Sequence, residues 1–244
     1  LVSFSALLTC RHAGIRPAAM IEEGGRPTAW NVSRLLPLLQ GVELRLGTRL
    51  RAIIGKRRVE AVEIVGADGE IDTVLCDGVV FSGRFLPEAT LARMAHLDVD
   101  PLSGGPRVDA FGRCSDAVYF ATGNLLRPVE TAGWCWDEGR RAARAIRGSL
   151  DGSLPDTARS VDIVPNHPII KYVVPQRLDA DGDDHTLQIR VREPARGTLS
   201  FGSPDGTILN KRINTLPERR LLVNLATPAG GLGSGPVCVD FKPS

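Results

Sequence analysis

Apolar and polar positions recur with two different periods along this chain, and the changes of period divide it. Residues 1–14 carry Val2, Ala6, Leu7 and Cys10 at helical spacing, and Gly14 stands where a left-handed cap belongs, so a helix is predicted. Residues 16–22 follow as a short apolar stretch, Ala18-Ala19-Met20-Ile21, closed by Glu22. After a helix, that pattern predicts a buried parallel strand. Residues 24–28 read as a loop and 31–40 as a second, shorter helix. The period then drops to two: 42–46, 50–54, 59–65 and 71–76 alternate apolar with polar. Gly66-Ala67-Asp68-Gly69 supplies the positive φ of a tight hairpin turn. A three- or four-stranded antiparallel meander is expected.

Two later segments are apolar almost throughout. Residues 77–82 (Asp-Gly-Val-Val-Phe-Ser) and 117–121 (Ala-Val-Tyr-Phe-Ala) both predict buried strands, the first leading into Gly83 and the second into Thr122-Gly123-Asn124. Between them, 86–96 reads as a short helix with Pro87 near its start, and 101–113 as a turn-rich excursion. Residues 130–147 form the clearest helix. Ala132, Cys135, Trp136, Gly139, Ala142, Ala143 and Ile146 fall on one stripe, and Arg140, Arg141, Arg144 and Arg147 form a solvated face. Thr131 is placed to cap its start and Gly148 to end it. A polar linker, 149–160, follows. Beyond it, 169–174, 186–192, 197–201, 207–212, 220–225 and 237–241 are strand-like and separated by turn residues such as Pro204-Asp205-Gly206. They predict a small antiparallel β-sandwich. The fold class is therefore α/β, followed by a C-terminal antiparallel β-sandwich.

Composition narrows the function classes. A chain of 244 residues, 43% hydrophobic and 24% charged, is long enough for one large domain or two modest ones and is neither collagen-like, disordered nor coiled coil. Its formal net charge of +2 makes no electrostatic case for nucleic acid or an anionic membrane. The 26 arginines against four lysines are read as coding bias. No apolar run reaches the 18 residues of a membrane span. The apolar start lacks the basic region and cleavage site of a signal peptide, and with no initial Met the chain is expected to continue something longer. Cys10, Cys76, Cys114, Cys135 and Cys238 form no Cys-x-x-Cys pair and read as reduced, partly buried thiols of a cytoplasmic protein. His12, His96, His167 and His185 are isolated, so they are expected on the surface or in loops, and no metal site is expected.

The candidate chemistry lies in Phe120-Ala-Thr-Gly-Asn124 and Arg127-Pro-Val-Glu-Thr-Ala-Gly-Trp134. An apolar strand ends, Gly123 allows close backbone approach, and Asn124 points outward. A helix then begins at Thr131, Ala132 and Gly133, offering unpaired N–H groups and about half a positive charge to an anion or an electron-rich ring. By itself Gly123-Asn124 spells a tight turn. The strand before it and the helix start after it point instead to a coenzyme at a strand end.

This arrangement, with Glu138-Gly139-Arg140 and an Ala-rich helix behind it, resembles the second FAD-binding motif of glutathione-reductase-like FAD/NAD(P)-dependent oxidoreductases. The family's usual Ala-x-Gly-Asp has Asn124 in the Asp position. An amide still both donates to and accepts from a ribityl hydroxyl. The Asn form with Arg127-Pro128-Val129-Glu130-Thr131 most resembles the branch of opine oxidase and hydrogen cyanide synthase subunits, which oxidise C–N bonds of amino-acid-like substrates.

The resemblance implies a division of the chain. Residues 1–83 would be the latter part of an inserted NAD(P)-binding-like domain, 84–150 the C-terminal part of the FAD-binding domain, and 160–244 a β-sandwich appendage. It implies FAD, with NAD(P) as a further coenzyme, a small-molecule substrate, and flavin-mediated hydride abstraction. Gly123, Asn124, Thr131, Ala132, Gly133 and Trp134 would contact the flavin. Glu22, or its neighbour Glu23, would hold an adenosine ribose.

Trp136 is expected in the core, and Trp134 either there or near the isoalloxazine. Arg84 is read as a loop arginine that could face a substrate anion, and Cys135 as a packed thiol. Both Gly-x-Gly-x-x-Gly fingerprints would lie ahead of Leu1, so an upstream FAD-binding segment or a partner chain is expected to complete the site. The rival reading is a non-catalytic subunit whose sandwich serves assembly. No catalytic base is assigned.

Overall fold

The computed structural model describes residues 2–27, 31–83, 85–182, 184–233 and 235–244. The chain forms two compact units, Leu1–Arg84 and Phe85–Ser244.

The first unit begins with α1 (Val2–His12), which ends as Gly14 adopts φ +69. Strand β1 (Ala19–Glu22) follows; then a 3-10 turn (Asn31–Arg34) runs into the single-turn α2 (Leu35–Leu39). Strand β2 (Glu43–Leu46) pairs with β1 in parallel, Ala19 opposite Glu43 and Glu22 opposite Leu46. The predicted parallel strand is present, though half-buried rather than buried. Phe4, Leu7 and Val42 pack beneath it with Met20 and Leu36.

The meander is three-stranded: β3 (Arg49–Ile54), β4 (Ala61–Val65) and β5 (Ile71–Leu75), all antiparallel. Its central strand buries Ala61, Val62, Ile64 and Val65. At the β3–β4 turn, Gly55 sits at φ +146, and a Cβ there would lie 1.9 Å from the Arg58 carbonyl oxygen. Glycine is therefore obligatory.

Residues 77–82 correct the expectation of a buried strand. They form no strand, Phe81 is 70% exposed and Val80 is likewise exposed. An apolar run becomes a buried strand only where a neighbouring strand satisfies its backbone and a layer covers its side chains, and the described residues supply neither. The segment is tethered by Ser82, whose hydroxyl donates to Ser3 Oγ at 2.9 Å.

The second unit opens with α3 (Thr90–Met94), shorter than the predicted helix over 86–96. Leu91 and Met94 are exposed, so no buried face extends it. Residues 117–121 give the second correction. They form a turn with a single bridge between Arg113 and Phe120, and Val118 is 81% exposed. The same physical reason applies.

Helix α4 (Ala132–Leu150) is capped by Thr131, whose hydroxyl accepts from the Trp134 N–H. It runs past Gly148, because the turn is ended by Gly152 at φ +70 after Asp151. Its buried residues are Glu138, Ala142 and Ala145. The stripe is thus rotated from the expected one, and Trp136, expected in the core, is 71% exposed.

Among the described residues the sandwich has eight strands, two more than expected: β6 (Ser160–Pro165), β7 (Ile170–Val174), β8 (Arg177–Asp179), β9 (Asp184–Val191), β10 (Ala195–Ser203), β11 (Gly206–Thr215), β12 (Leu221–Ala226) and β13 (Val237–Pro243). One sheet has the order β11-β10-β13-β6-β8, the other β12-β9-β7. Pairing is antiparallel except between β13 and β6. Leu187, Ile189, Leu199, Phe201, Val223, Leu225 and Val239 form the core between them. Each such side chain contributes roughly 1.5–3 kcal/mol on burial.

The smaller sheet is covered on its other face as well. Tyr172 and Val174 of β7 join Val108, Cys114, Ala121 and Leu126 in a second cluster. The Val108 N–H donates to Gln176 Oε1 at 3.0 Å, and the Gln176 N–H returns a bond to the Val108 carbonyl at 3.0 Å. The fold is thus mixed α/β, and within the second unit the sandwich shares a core with residues 97–126. No helix among the described residues is long and apolar enough to cross a membrane.

Candidate functional site

The loop between Ala121 and α4 is shaped by three local features. Gly123 takes φ +68, a left-handed conformation that L side chains rarely adopt. Asn124 is exposed, and its Oδ1 accepts from the Glu130 N–H at 2.8 Å, closing the loop across its neck. Val129 sits at φ +64, a costly conformation for a β-branched residue, so the surrounding contacts must impose it.

Those contacts are ionic and buried. Arg127 is fully buried. Its Nε donates to Gln188 Oε1 at 2.8 Å and its Nη2 to Glu138 Oε1. Glu138 reaches back from α4, accepting from the Gly123 N–H at 3.1 Å and from Gln188 Nε2 at 2.8 Å. The Glu130 side chain, 1% exposed, receives Arg190 Nη2 at 2.6 Å on one oxygen and Arg220 Nη1 at 2.8 Å on the other. Two carboxylates and three guanidiniums thus pack behind the loop. Charge in so dry a place is tolerable only because partners satisfy most of it; Arg127 Nη1 is the exception, buried without a hydrogen-bond partner.

The front of the loop is open. Thr131, Ala132 and Gly133 are exposed, and a Cβ added at Gly133 would meet nothing within 4 Å. The first N–H groups of an α-helix have no intrahelical acceptor, so this turn presents donors and the positive end of the helix dipole outward. Trp134 is half-buried under the Arg220 guanidinium, 3.9 Å from its ring centroid, with Arg141 at 5.1 Å. Its indole Nε1 is buried with no hydrogen-bond partner. Cys135 is half-buried, its Sγ 3.4 Å from where a Gly123 Cβ would stand.

The structure thus gathers Gly123, Asn124, Thr131, Ala132, Gly133 and Trp134 around one helix start. Glu22 ends β1 in the other unit, where its Oε1 accepts from the Gly24 N–H at 2.9 Å and its carbonyl from the Thr48 N–H at 3.0 Å. Arg84 and Thr28 lie outside the described residues. His185, expected at the surface, is buried, with Nε2 2.9 Å from the Asp179 carbonyl oxygen. His96 is paired with Asp116 at 2.7 Å and His167 Nδ1 accepts from the Ile169 N–H at 3.2 Å. Among the described residues no His, Cys, Asp and Glu cluster suits a metal ion.

Sequence reasoning missed Gln188, Arg190 and Arg220, and gave Glu138 no role beyond its place in the motif. The available signal was Glu138 on the stripe of α4 beside Ala142, a carboxylate where an apolar residue would be expected.

No protein-family model matches the chain, and no curated protein matches it. Solved structures do. One is thioredoxin reductase from T. acidophilum, at 17% identity over 56% of this chain and 46% of that one, with a TM-score of 0.49. Another is thioredoxin reductase from Streptococcus pyogenes MGAS5005, at 16% identity over 61% of this chain and 50% of that one, with a TM-score of 0.36. The chain spans about half the length of these structures.

The described residues border two concavities. One is bounded by Phe201, Pro204, Pro236 and Cys238, the other by Val2, Ala6, Ile15 and Val80. In the loop itself Gly123 is buried, while Asn124 and residues 131–133 are exposed.

Proposed function

We propose that the chain is the C-terminal portion of an FAD-dependent oxidoreductase and that the Gly123–Gly133 region receives the flavin. The observation that carries this reading is the pairing of a left-handed Gly123, with exposed Asn124 beside it, to the open N-terminus of α4. These features suit the group. Asn124 keeps its carboxamide N–H donors on an exposed residue for a ribityl hydroxyl. Ala132 and Gly133 offer N–H groups to an electron-rich carbonyl edge, and Trp134 offers an aromatic face held by arginine.

When bound, FAD would supply a two-electron acceptor, which no side chain provides. This chain's own part is orientation and electrostatics: the α4 dipole stabilises negative charge at the helix start, and Thr131 holds that start in place. In this reading residues 1–83 serve as the latter part of an NAD(P)-binding-like domain with Glu22 at a ribose. Residues 84–150 complete the FAD domain and 160–244 form the sandwich. The Asn124 form with Arg127-Pro128-Val129-Glu130-Thr131 supports an amine or amino-acid-like substrate, as in opine oxidase and hydrogen cyanide synthase subunits. An upstream segment or partner chain would supply the pyrophosphate loop. Unpaired thiols fit a reducing compartment such as the cytoplasm.

The test is the visible absorbance of the complete protein after incubation with FAD, followed by bleaching with amino-acid derivatives. Bound flavin that bleaches supports the reading, and absence of flavin binding refutes it. A second reading, a non-catalytic subunit on the same scaffold, is favoured by one observation: the Gly123 N–H is turned inward to Glu138. Flavin that binds but bleaches with no C–N substrate would favour it.

A further inference from the structure

We infer that the sandwich is the positioning element of the candidate coenzyme loop, and that Gln188 and Arg190 of β9 are its contact residues. The inference rests on the coenzyme reading only for what the loop does, not for how it is held.

Strand β9 is buried on both faces. Leu187, Ile189 and Val191 point into the sandwich core, as an alternating strand requires. The residues between them, Gln188 and Arg190, are 7% and 3% exposed. Polar residues at alternate positions of a two-sheet sandwich normally face water. Here they face the loop.

Gln188 uses both ends of its amide: Oε1 accepts from Arg127, and Nε2 donates to Glu138. Arg190 donates to Glu130 through Nη2 and to the Glu218 carbonyl through Nη1. The bonds to Glu138 and Glu130 lead on to the loop backbone. Glu138 accepts from the Gly123 N–H, and the Glu130 N–H donates to Asn124 Oδ1. The left-handed Val129 lies between Arg127 and Glu130 and can persist because both neighbours are anchored. Two short chains of hydrogen bonds therefore run from one strand to the residues that would meet the ribityl chain. A loop bound from behind in this way is already in one conformation before any ligand arrives, which removes an ordering cost from binding.

The experiment measures amide hydrogen exchange in the complete protein, without coenzyme. Gln188→Met keeps the size of the side chain and removes both bonds. The expected result is exchange about tenfold faster at the Gly123 N–H, with protection at Leu199 and Val239 of the opposite sheet unchanged. Unchanged exchange at Gly123 overturns the inference.

If Gln188→Met also loosens Leu199 and Val239, Arg190→Lys decides. It keeps the charge against Glu130 but cannot make both bonds. Faster exchange at the Glu130 N–H with an intact sandwich supports the inference, and unchanged exchange overturns it. Binding of added FAD to the unsubstituted protein is measured alongside. Accelerated exchange without FAD binding refutes the coenzyme reading alone. FAD binding that neither variant weakens, with exchange unaltered, refutes the positioning role alone. Where both hold, Gln188→Met weakens FAD binding about tenfold.

Discussion

Gly123 donates its backbone N–H to Oε2 of Glu138, fifteen residues later, at 3.1 Å. The same carboxylate holds the guanidinium of Arg127 through its other oxygen. A helix thus reaches back over its own start to fix the loop that leads into it, and Gln188 binds both members of the pair from the sandwich. The arrangement makes the loop's shape depend on charge balance in a dry interior.

Breaking that balance on one side should be costly. Arg127→Ala leaves Glu138 buried without its guanidinium and is expected to lower stability by about 3–5 kcal/mol. Arg127→Met combined with Glu138→Gln removes both charges and should recover a good part of the loss. Denaturant midpoints of the complete protein, compared as a cycle, check the coupling.

Gly123→Ala forces an L side chain to φ +68, where its Cβ would also lie 3.4 Å from Cys135 Sγ. The expected cost is about 1–2 kcal/mol, read as a lower thermal midpoint. Gly123→Asn should cost less, because Asn tolerates the left-handed region.

Gly197 in β10 is constrained differently, by proximity. A Cβ there would come 2.2 Å from the Lys242 carbonyl oxygen and 2.7 Å from the Phe241 ring. Gly197→Ala must push β13 away and is expected to cost at least about 1–3 kcal/mol. Tryptophan fluorescence during chemical unfolding would report it.

Burial pushes the Tyr172 hydroxyl up to about 12, above the ordinary phenol value of 10.0. The raised folded-state value means this contribution to stability is complete below pH 10 and is lost as pH rises toward 12. In a Tyr119→Phe background, tyrosinate absorbance should therefore appear only near pH 12, or with unfolding. Titration near pH 10 with the fold intact would contradict the burial.

Local pattern was enough for much of this molecule. Alternation and turn glycines placed β3, β4 and β5, and the sandwich strands other than β6 and β8, because a side chain's face on a strand follows from position alone. Thr131 as the cap of α4 was legible for the same reason: an N-cap bonds within its own first turn.

Whether a segment is buried is not local. Residues 77–82 and 117–121 have the composition of interior strands, yet Phe81 and Val118 stand in solvent because no described strand pairs with them. Gln188 and Arg190 have the spacing of a solvent face, yet the loop over 123–131 covers them. The sequence by itself determined the period of most elements and the local caps and turns that bound them. Only the tertiary structure decided what covers each face, since burial and ion pairing depend on residues some sixty positions apart, as Arg127 and Gln188 are.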